Sequence, residues 1–244
     1  MKWSMAIALV FLMLGCSTTN EQAKLTKKAE FHYKLANGHF YENQIVSALK
    51  ELTVCLEFSP EHPDAHHLMG FIFFGRKEYL NAERHFRRAV DIRPAFHEAR
   101  SNLGALLLAT RRWREAVEVI KPLVNATLYP TPWLVHNNLG YASQQLGNRR
   151  KSLKHYRLAI FHNPKFCLGY NNLGTLYRDM GQIDMAADYF QRSISRCKNY
   201  AEPHFHLGML FQSKGQAQAA KREFGTCFKA APESPFGRRC RMRM

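Results

Sequence analysis

The chain lacks the features that would make it an enzyme or a membrane-spanning protein. There is no Gly-rich phosphate loop, no nucleophile elbow and no paired-carboxylate motif. Its apolar run from Met5 to Leu14 holds ten residues, and a membrane span needs roughly 20. Strand patterns are almost missing. No cysteine–histidine spacing resembles a zinc site, and the twelve histidines scatter over helix positions as core-edge residues. Acidic residues are scarce, with 19 Asp and Glu against 35 Lys and Arg. The sequence therefore reads as a protein that works by binding, with no catalytic residues, no cofactor, no metal and no small-molecule substrate.

What is present is repetition. Gly70, Gly104, Gly140, Gly174 and Gly208 recur 34 to 36 residues apart, each preceded by Leu or Met. The period of 34 is that of the tetratricopeptide repeat. Counting the glycine as position 8, position 20 is Ala82, Ala116, Ser152, Ala186 and Ala220. Position 24 is Phe86, Ile120, Tyr156, Phe190 and Phe224. Pro94, Pro164 and Pro232 end repeats at position 32, because proline cannot continue a helical ladder. Small residues at positions 8 and 20 let two antiparallel helices approach, and the large residue at 24 fills the space between repeats. A weaker copy lies upstream, with Leu35, Ala36, Ala48, Leu52, Cys55 and Pro60 in register. The expected fold is all-α, a tetratricopeptide-repeat superhelix of six helix-turn-helix units covering 29–62, 63–96, 97–132, 133–166, 167–200 and 201–234. Gly147, Gly181 and Gly215 mark turns between the helices of a pair.

The N-terminus carries an address. Lys2, the apolar run, Gly15-Cys16 and then Ser17-Thr18-Thr19 form a signal-peptide pattern ending in a cysteine. It resembles the lipobox of bacterial lipoproteins, with Met13 and Leu14 departing from its usual residues. The resemblance implies cleavage after residue 15, acylation of Cys16 and anchoring by lipid, with 16–28 as a tether. Ser17 resembles the second residue of lipoproteins sent to the outer membrane. The expected location is the periplasmic face of the outer membrane.

The third repeat is two residues longer and ends Ala126-Thr127-Leu128-Tyr129-Pro130-Thr131-Pro132-Trp133. Pro130 and Pro132 read as excluding helix there. This stretch, followed by His136-Asn137-Asn138-Leu139-Gly140, resembles the PilF/PilW (Tgl-like) family of type IV pilus biogenesis lipoproteins. The resemblance runs over nearly the whole chain: lipobox, six repeats and the lengthened third repeat. It implies a pilotin, a lipid-anchored factor that binds the pilus secretin and promotes its localisation and ring assembly. The alternative is an envelope scaffold that recruits cell-wall hydrolases or other envelope proteins. The basic C-terminal tail, 235–244, has no match in the family pattern. Pro235 and Gly237 read there as opposing a helix, which leaves an apolar flank on the last repeat.

Register nominates a binding groove on the first helix of each pair. Its candidates are Tyr33, Phe40, Tyr41, His67, Phe71, Phe74, Asn137, Tyr141, Asn171 and Arg178. The N-terminal part is aromatic and suits an amphipathic helix or extended peptide; the C-terminal part is polar. The net charge of +16 raises nucleic acid as a partner, but export to an envelope compartment argues against it. Arg76, Lys77, Arg111, Arg112, Arg149, Arg150 and Lys151 fall in turns between paired helices. They read either as a basic ridge for phospholipid heads, peptidoglycan or an acidic partner, or as a solvated edge. Cys167 and Cys197 sit at positions 1 and 31 of one repeat, adjacent in an antiparallel hairpin, and form a disulfide candidate. Cys55 and Cys227 occupy a small buried position and read as packing residues; Cys240 is unassigned.

Overall fold

The computed structural model describes residues 4–126 and 129–244, with side chains from residue 20 onward. Cys16 as a lipid-bearing side chain, and Thr127-Leu128 within the lengthened repeat, lie outside the described residues. Thirteen α-helices and one 3₁₀ turn are found among those described, and no strand. The chain forms two compact units, residues 1–106 and 107–244. The first holds α1 (Ser4–Tyr41), α2 (Ile45–Phe58), α3 (Pro63–Gly75) and α4 (Tyr79–Ile92). Helix α5 (His97–Ala109) carries the division. The second unit continues with α6 (Trp113–Ile120), α7 (Pro132–Gln145), α8 (Arg149–His162), α9 (Cys167–Asp179) and α10 (Ile183–Arg196). It ends with α11 (Ala201–Ser213), α12 (Ala217–Ala230) and α13 (Pro235–Arg241). No described helix is long and apolar enough to cross a membrane.

Four of the six helical hairpins are held by a glycine under a ring. A Cβ built on Gly70 would stand 2.6 Å from the Phe86 ring. The same 2.6 Å recurs between Gly140 and Tyr156, Gly174 and Phe190, and Gly208 and Phe224. All four rings are buried. The large residue at position 24 thus lies on the glycine of its own repeat. It closes the hairpin rather than only filling the gap to the next repeat.

The turns share one hydrogen-bond pattern. Gly147, Gly181 and Gly215 adopt φ of 76°, 77° and 71°. The amide of Gly181 donates to Arg178 O and that of Gln182 to Tyr177 O, the paired bonds of a Schellman ending. The first three turns make the same bonds, with Asn43, Lys77 and Arg111 at φ of 59°, 62° and 61°. Asparagine tolerates that conformation; lysine and arginine adopt it at a cost.

Two proline readings need correction. Pro132 does not exclude helix: it is the first residue of α7, where its missing N–H and fixed φ are suited to a start. The interruption lies earlier. Helix α6 has eight residues against fourteen in α8, α10 and α12. Pro122 follows it, in the 3₁₀ turn Lys121–Asn125.

The tail is also helical. Pro235 opens α13, and Ser234 caps it by accepting from the Gly237 amide at 2.9 Å. Gly237 is buried against the backbone of Ala231, where any Cβ would overlap the carbonyl. Cys227 and Cys240 form a disulfide, with Cα atoms 6.1 Å apart. Neither is therefore a plain packing residue or a loose end. Phe236 lies 5.5 Å from the Phe205 ring, and Arg239 stacks on Phe205 at 4.2 Å. The apolar flank expected on the last repeat is covered by α13. The second disulfide joins Cys167 to Cys197, also with Cα atoms 6.1 Å apart, and fastens the α9–α10 hairpin.

Candidate functional site

In the first unit, α1 and α3 bring an aromatic strip together. Phe40 and Phe71 meet edge to face at 5.8 Å, and Tyr41 lies 5.9 Å from Phe40. Phe71 stays 45% exposed and Tyr41 80% exposed. Such area has no packing role left to explain it. Tyr33 stands against His62 at 5.0 Å, half-buried, and burial raises its phenol above the ordinary range.

The neighbouring candidates serve the fold. Phe74 is half-buried against Tyr79 and Phe86, at 6.0 and 6.5 Å. His67 lies edge-on to Phe96 at 4.8 Å, and its Nε2 is 2.9 Å from Asn102 Nδ2. Burial lowers its pKa and keeps it neutral. The exposed part of the strip is thus Tyr41 and Phe71, with Phe40 half-buried between them and packed on the core of the unit.

In the second unit the polar candidates are mostly inside. Asn137 is buried and accepts from Asn172 Nδ2 at 2.8 Å. Asn171 is fully buried, and neither of its amide atoms meets hydrogen-bond geometry. It nonetheless faces Glu202 closely enough to help hold that carboxyl ionised. Burial pushes Glu202 upward, but His206, Tyr200 and Asn171 together outweigh it, and its pKa lies below the usual value. Arg178 is held on one side by Asp179 at 2.9 Å and on the other by His206 Nδ1 at 3.1 Å. Only Tyr141 remains exposed, its ring edge-on to Trp113 at 5.6 Å. Asn137 and Asn171 are thus taken up inside the fold, Arg178 is half-buried and paired, and Tyr141 alone of the four is open.

The basic turn residues divide as well. Arg76 pairs with Glu78 at 2.7 Å and Arg112 with Glu115 at 2.6 Å, each inside its own turn. Lys77 and Arg111 are the left-handed turn residues. Arg149, Arg150 and Lys151 open α8 and are exposed.

One recurring contact was not legible as a unit: positions 4 and 23 of a repeat face each other. His32 meets Glu51 at 2.6 Å and His204 meets Glu223 at 2.7 Å. His66 meets His85 at 2.9 Å and His136 meets His155 at 3.2 Å, Nδ1 to Nδ1. Burial first, then neighbouring cations and histidines, pushes His85 and His136 each down to about 4. Among the described residues no group of three or more His, Cys, Asp or Glu could hold a metal.

Comparison with known proteins agrees with this architecture. Tetratricopeptide-repeat family models match residues 169–204 and 201–234. The type IV pilus assembly protein PilF of Pseudomonas aeruginosa is 26% identical over 163 residues, 63% of this chain. The chain resembles PilF. The match covers 65% of that relative's length, just under two thirds. A crystal structure of PilW, described as a widely conserved type IV pilus biogenesis factor, superposes with a TM-score of 0.76 at 23% identity. It covers 86% of this chain and 97% of PilW. The structure of Pseudomonas aeruginosa PilF superposes with a TM-score of 0.72 at 18% identity, over 91% of this chain and all of that one. The all-α tetratricopeptide fold and the likeness to PilF and PilW read from the sequence are both upheld.

Proposed function

We propose that this chain is a type IV pilus assembly factor of the pilotin kind. It binds the pilus secretin through the aromatic strip of α1 and α3 and promotes secretin localisation and multimer assembly. The sequence identity with PilF carries this reading, because the fold alone serves many functions. In the same reading Cys16 is acylated and holds the chain at the periplasmic face of the outer membrane, and the protein acts by binding, without a catalytic step. Exposed aromatics on one face suit a partner helix or strand laid across them.

The test pairs two phenylalanines. Phe71→Ala should lower secretin multimers in cells while leaving the melting temperature nearly unchanged. Phe74→Ala should cost roughly 1–3 kcal/mol of stability, less than a fully buried Phe→Ala, and reduce multimers only in proportion to the folded protein lost. Normal multimers in a strain deleted for this gene would remove the secretin role. Absence of palmitate label from Cys16 would remove the anchor but leave the binding reading intact.

A further inference from the structure

Helix α8 carries a second apolar–cationic face that the fold uses only in part. Its sequence contains Arg149, Arg150, Lys151, Lys154 and Arg157 and no acidic residue. The deficit extends far beyond the helix: no Asp or Glu occurs between Glu118 and Asp179. The whole repeat 133–166 thus has nothing of its own to neutralise these cations. Three of them stand in the first turn of α8, where the helix dipole disfavours positive charge. The equivalent turn of α10 carries Asp184 instead.

The geometry gives that use a shape. Arg150, Leu153, Lys154, Arg157, Leu158 and Phe161 line one shallow cavity. Their spacing, i, i+3, i+4, i+7, i+8 and i+11, is one stripe of a helix. It is separate from the stripe of Ser152, Tyr156 and Ala159 that α8 buries. Phe161 is 76% exposed. The same register on α10 reads Asp184, Ala187, Asp188, Gln191, Arg192 and Ser195, which is polar and mixed in charge. Within the stripe Arg157 donates to the Tyr177 hydroxyl at 2.9 Å, Leu153 packs against the core, and Phe161 meets the neighbouring His162 ring edge to face at 5.6 Å. An exposed phenylalanine and half-buried leucines among exposed cations are the composition of a helix that lies in a lipid headgroup layer.

We propose that this face of α8 binds the surface of a bilayer containing anionic phospholipid. The cations meet headgroup phosphates, and Phe161 with Leu158 enters the acyl boundary. The contact does not depend on acylation of Cys16. If the chain is acylated, it would orient an otherwise swivelling protein on its membrane.

The test uses the full-length chain and vesicles of phosphatidylcholine alone or with phosphatidylglycerol. The readout is the ratio of the two partition coefficients, in which any apolar contribution of the N-terminal segment cancels. Each Lys or Arg at an anionic surface is worth about fivefold. Arg150→Gln, Lys151→Gln and Lys154→Gln together should therefore lower the ratio by about 100-fold. The charge-matched control is Lys221→Gln, Arg222→Gln and Lys229→Gln, on exposed positions of α12; it should lower the ratio at least tenfold less. Phe161→Ser keeps every charge and should weaken binding to the anionic vesicles several-fold. Circular dichroism melting of each variant confirms folding. Equal losses from the two triple variants would overturn the proposal, since net charge alone would then account for binding. No preference of the wild type for phosphatidylglycerol would overturn it too and would leave an acidic protein as the ligand of this face. Full binding by Phe161→Ser would remove the inserted aromatic and with it the docking geometry.

Discussion

Replacing Gly174 by alanine tests the glycine-and-ring closure directly. In an ordinary helix interior the change would be favourable by about 1 kcal/mol, because alanine loses less backbone entropy. Here the new methyl would stand 2.6 Å from Phe190 Cδ1 and Cε1 and 3.0 Å from Cζ. Phe190 is fully buried, so its ring has no solvent to swing into. Overpacking of this kind costs roughly 1–3 kcal/mol, and a clash with three atoms of a confined ring belongs at the upper end. The net should be a loss of about 2 kcal/mol. For a chain this size that is a fall of about 4–8 °C in melting temperature, measured by circular dichroism on the full-length protein. Gly38→Ala is the matched control. Gly38 sits within α1, exposed, with nothing within 4 Å of a Cβ. It should gain up to about 1 kcal/mol. A third arm adds Phe190→Leu: if the ring is the obstacle, the double variant is more stable than the sum of the single losses predicts. A Gly174→Ala protein as stable as wild type, or purely additive effects with Phe190→Leu, would refute the closure.

Lys77→Gly should raise stability by about 0.5–1 kcal/mol, since relief of a left-handed residue exceeds the entropy glycine adds to the unfolded chain; the urea midpoint reports it, and Lys77→Ala should be neutral. The histidine pairs make stability fall in acid. His85 and His136 hold pKa values of about 4 in the fold against about 6.5 unfolded, so below pH 6.5 the unfolded chain binds protons the folded one does not. Stability should decline as pH drops from 6.5 to 4, by more than 1 kcal/mol, and the double variant His85→Gln, His136→Gln should flatten the profile over that window. An unchanged slope in the double variant would assign the acid sensitivity to carboxylates.

The repeat was legible because six copies of one pattern vote on each position. Gly174 and Phe190 are informative only because Gly140 and Tyr156, or Gly208 and Phe224, stand at the same separation. What fell outside the consensus was harder to read. Pro235 weighed as a breaker when counted alone, yet with Ser234 before it the pair is a helix start. Pro122 is less conspicuous than Pro130 and Pro132, although it stands two residues after the end of the short α6. Cys240 had no register position, so its bond to Cys227 could not be placed before α13 was seen. Lys77 and Arg111 resisted for another reason: a left-handed turn favours glycine by only one or two kcal/mol, and two repeats simply bear that cost.

Function sits at the positions the closure leaves free, which is also where the sequence is hardest to interpret. Register names the residues facing a groove, but not whether a neighbour one helix away has already taken them. Phe71 and Phe74 differ by three residues on α3, yet one is left open beside Phe40 and the other leans on the Phe86 ring that closes its own hairpin. Asn171 and Tyr33 hold the same register position in their repeats, yet Asn171 is sealed under Glu202 while Tyr33 stays partly exposed. The same logic separates α8 from α10. Both use one stripe to bury an alanine and an aromatic ring, Ala159 with Tyr156 and Ala186 with Phe190. Leu153 and Ala187, in the same register, both pack on the core, but the exposed positions of the two outward stripes diverge, one cationic with an open phenylalanine and the other mixed and polar. In a fold whose core is fixed by two small residues and one large apolar residue per repeat, departures between repeats on the outer faces are the part of the sequence free to record what the protein touches.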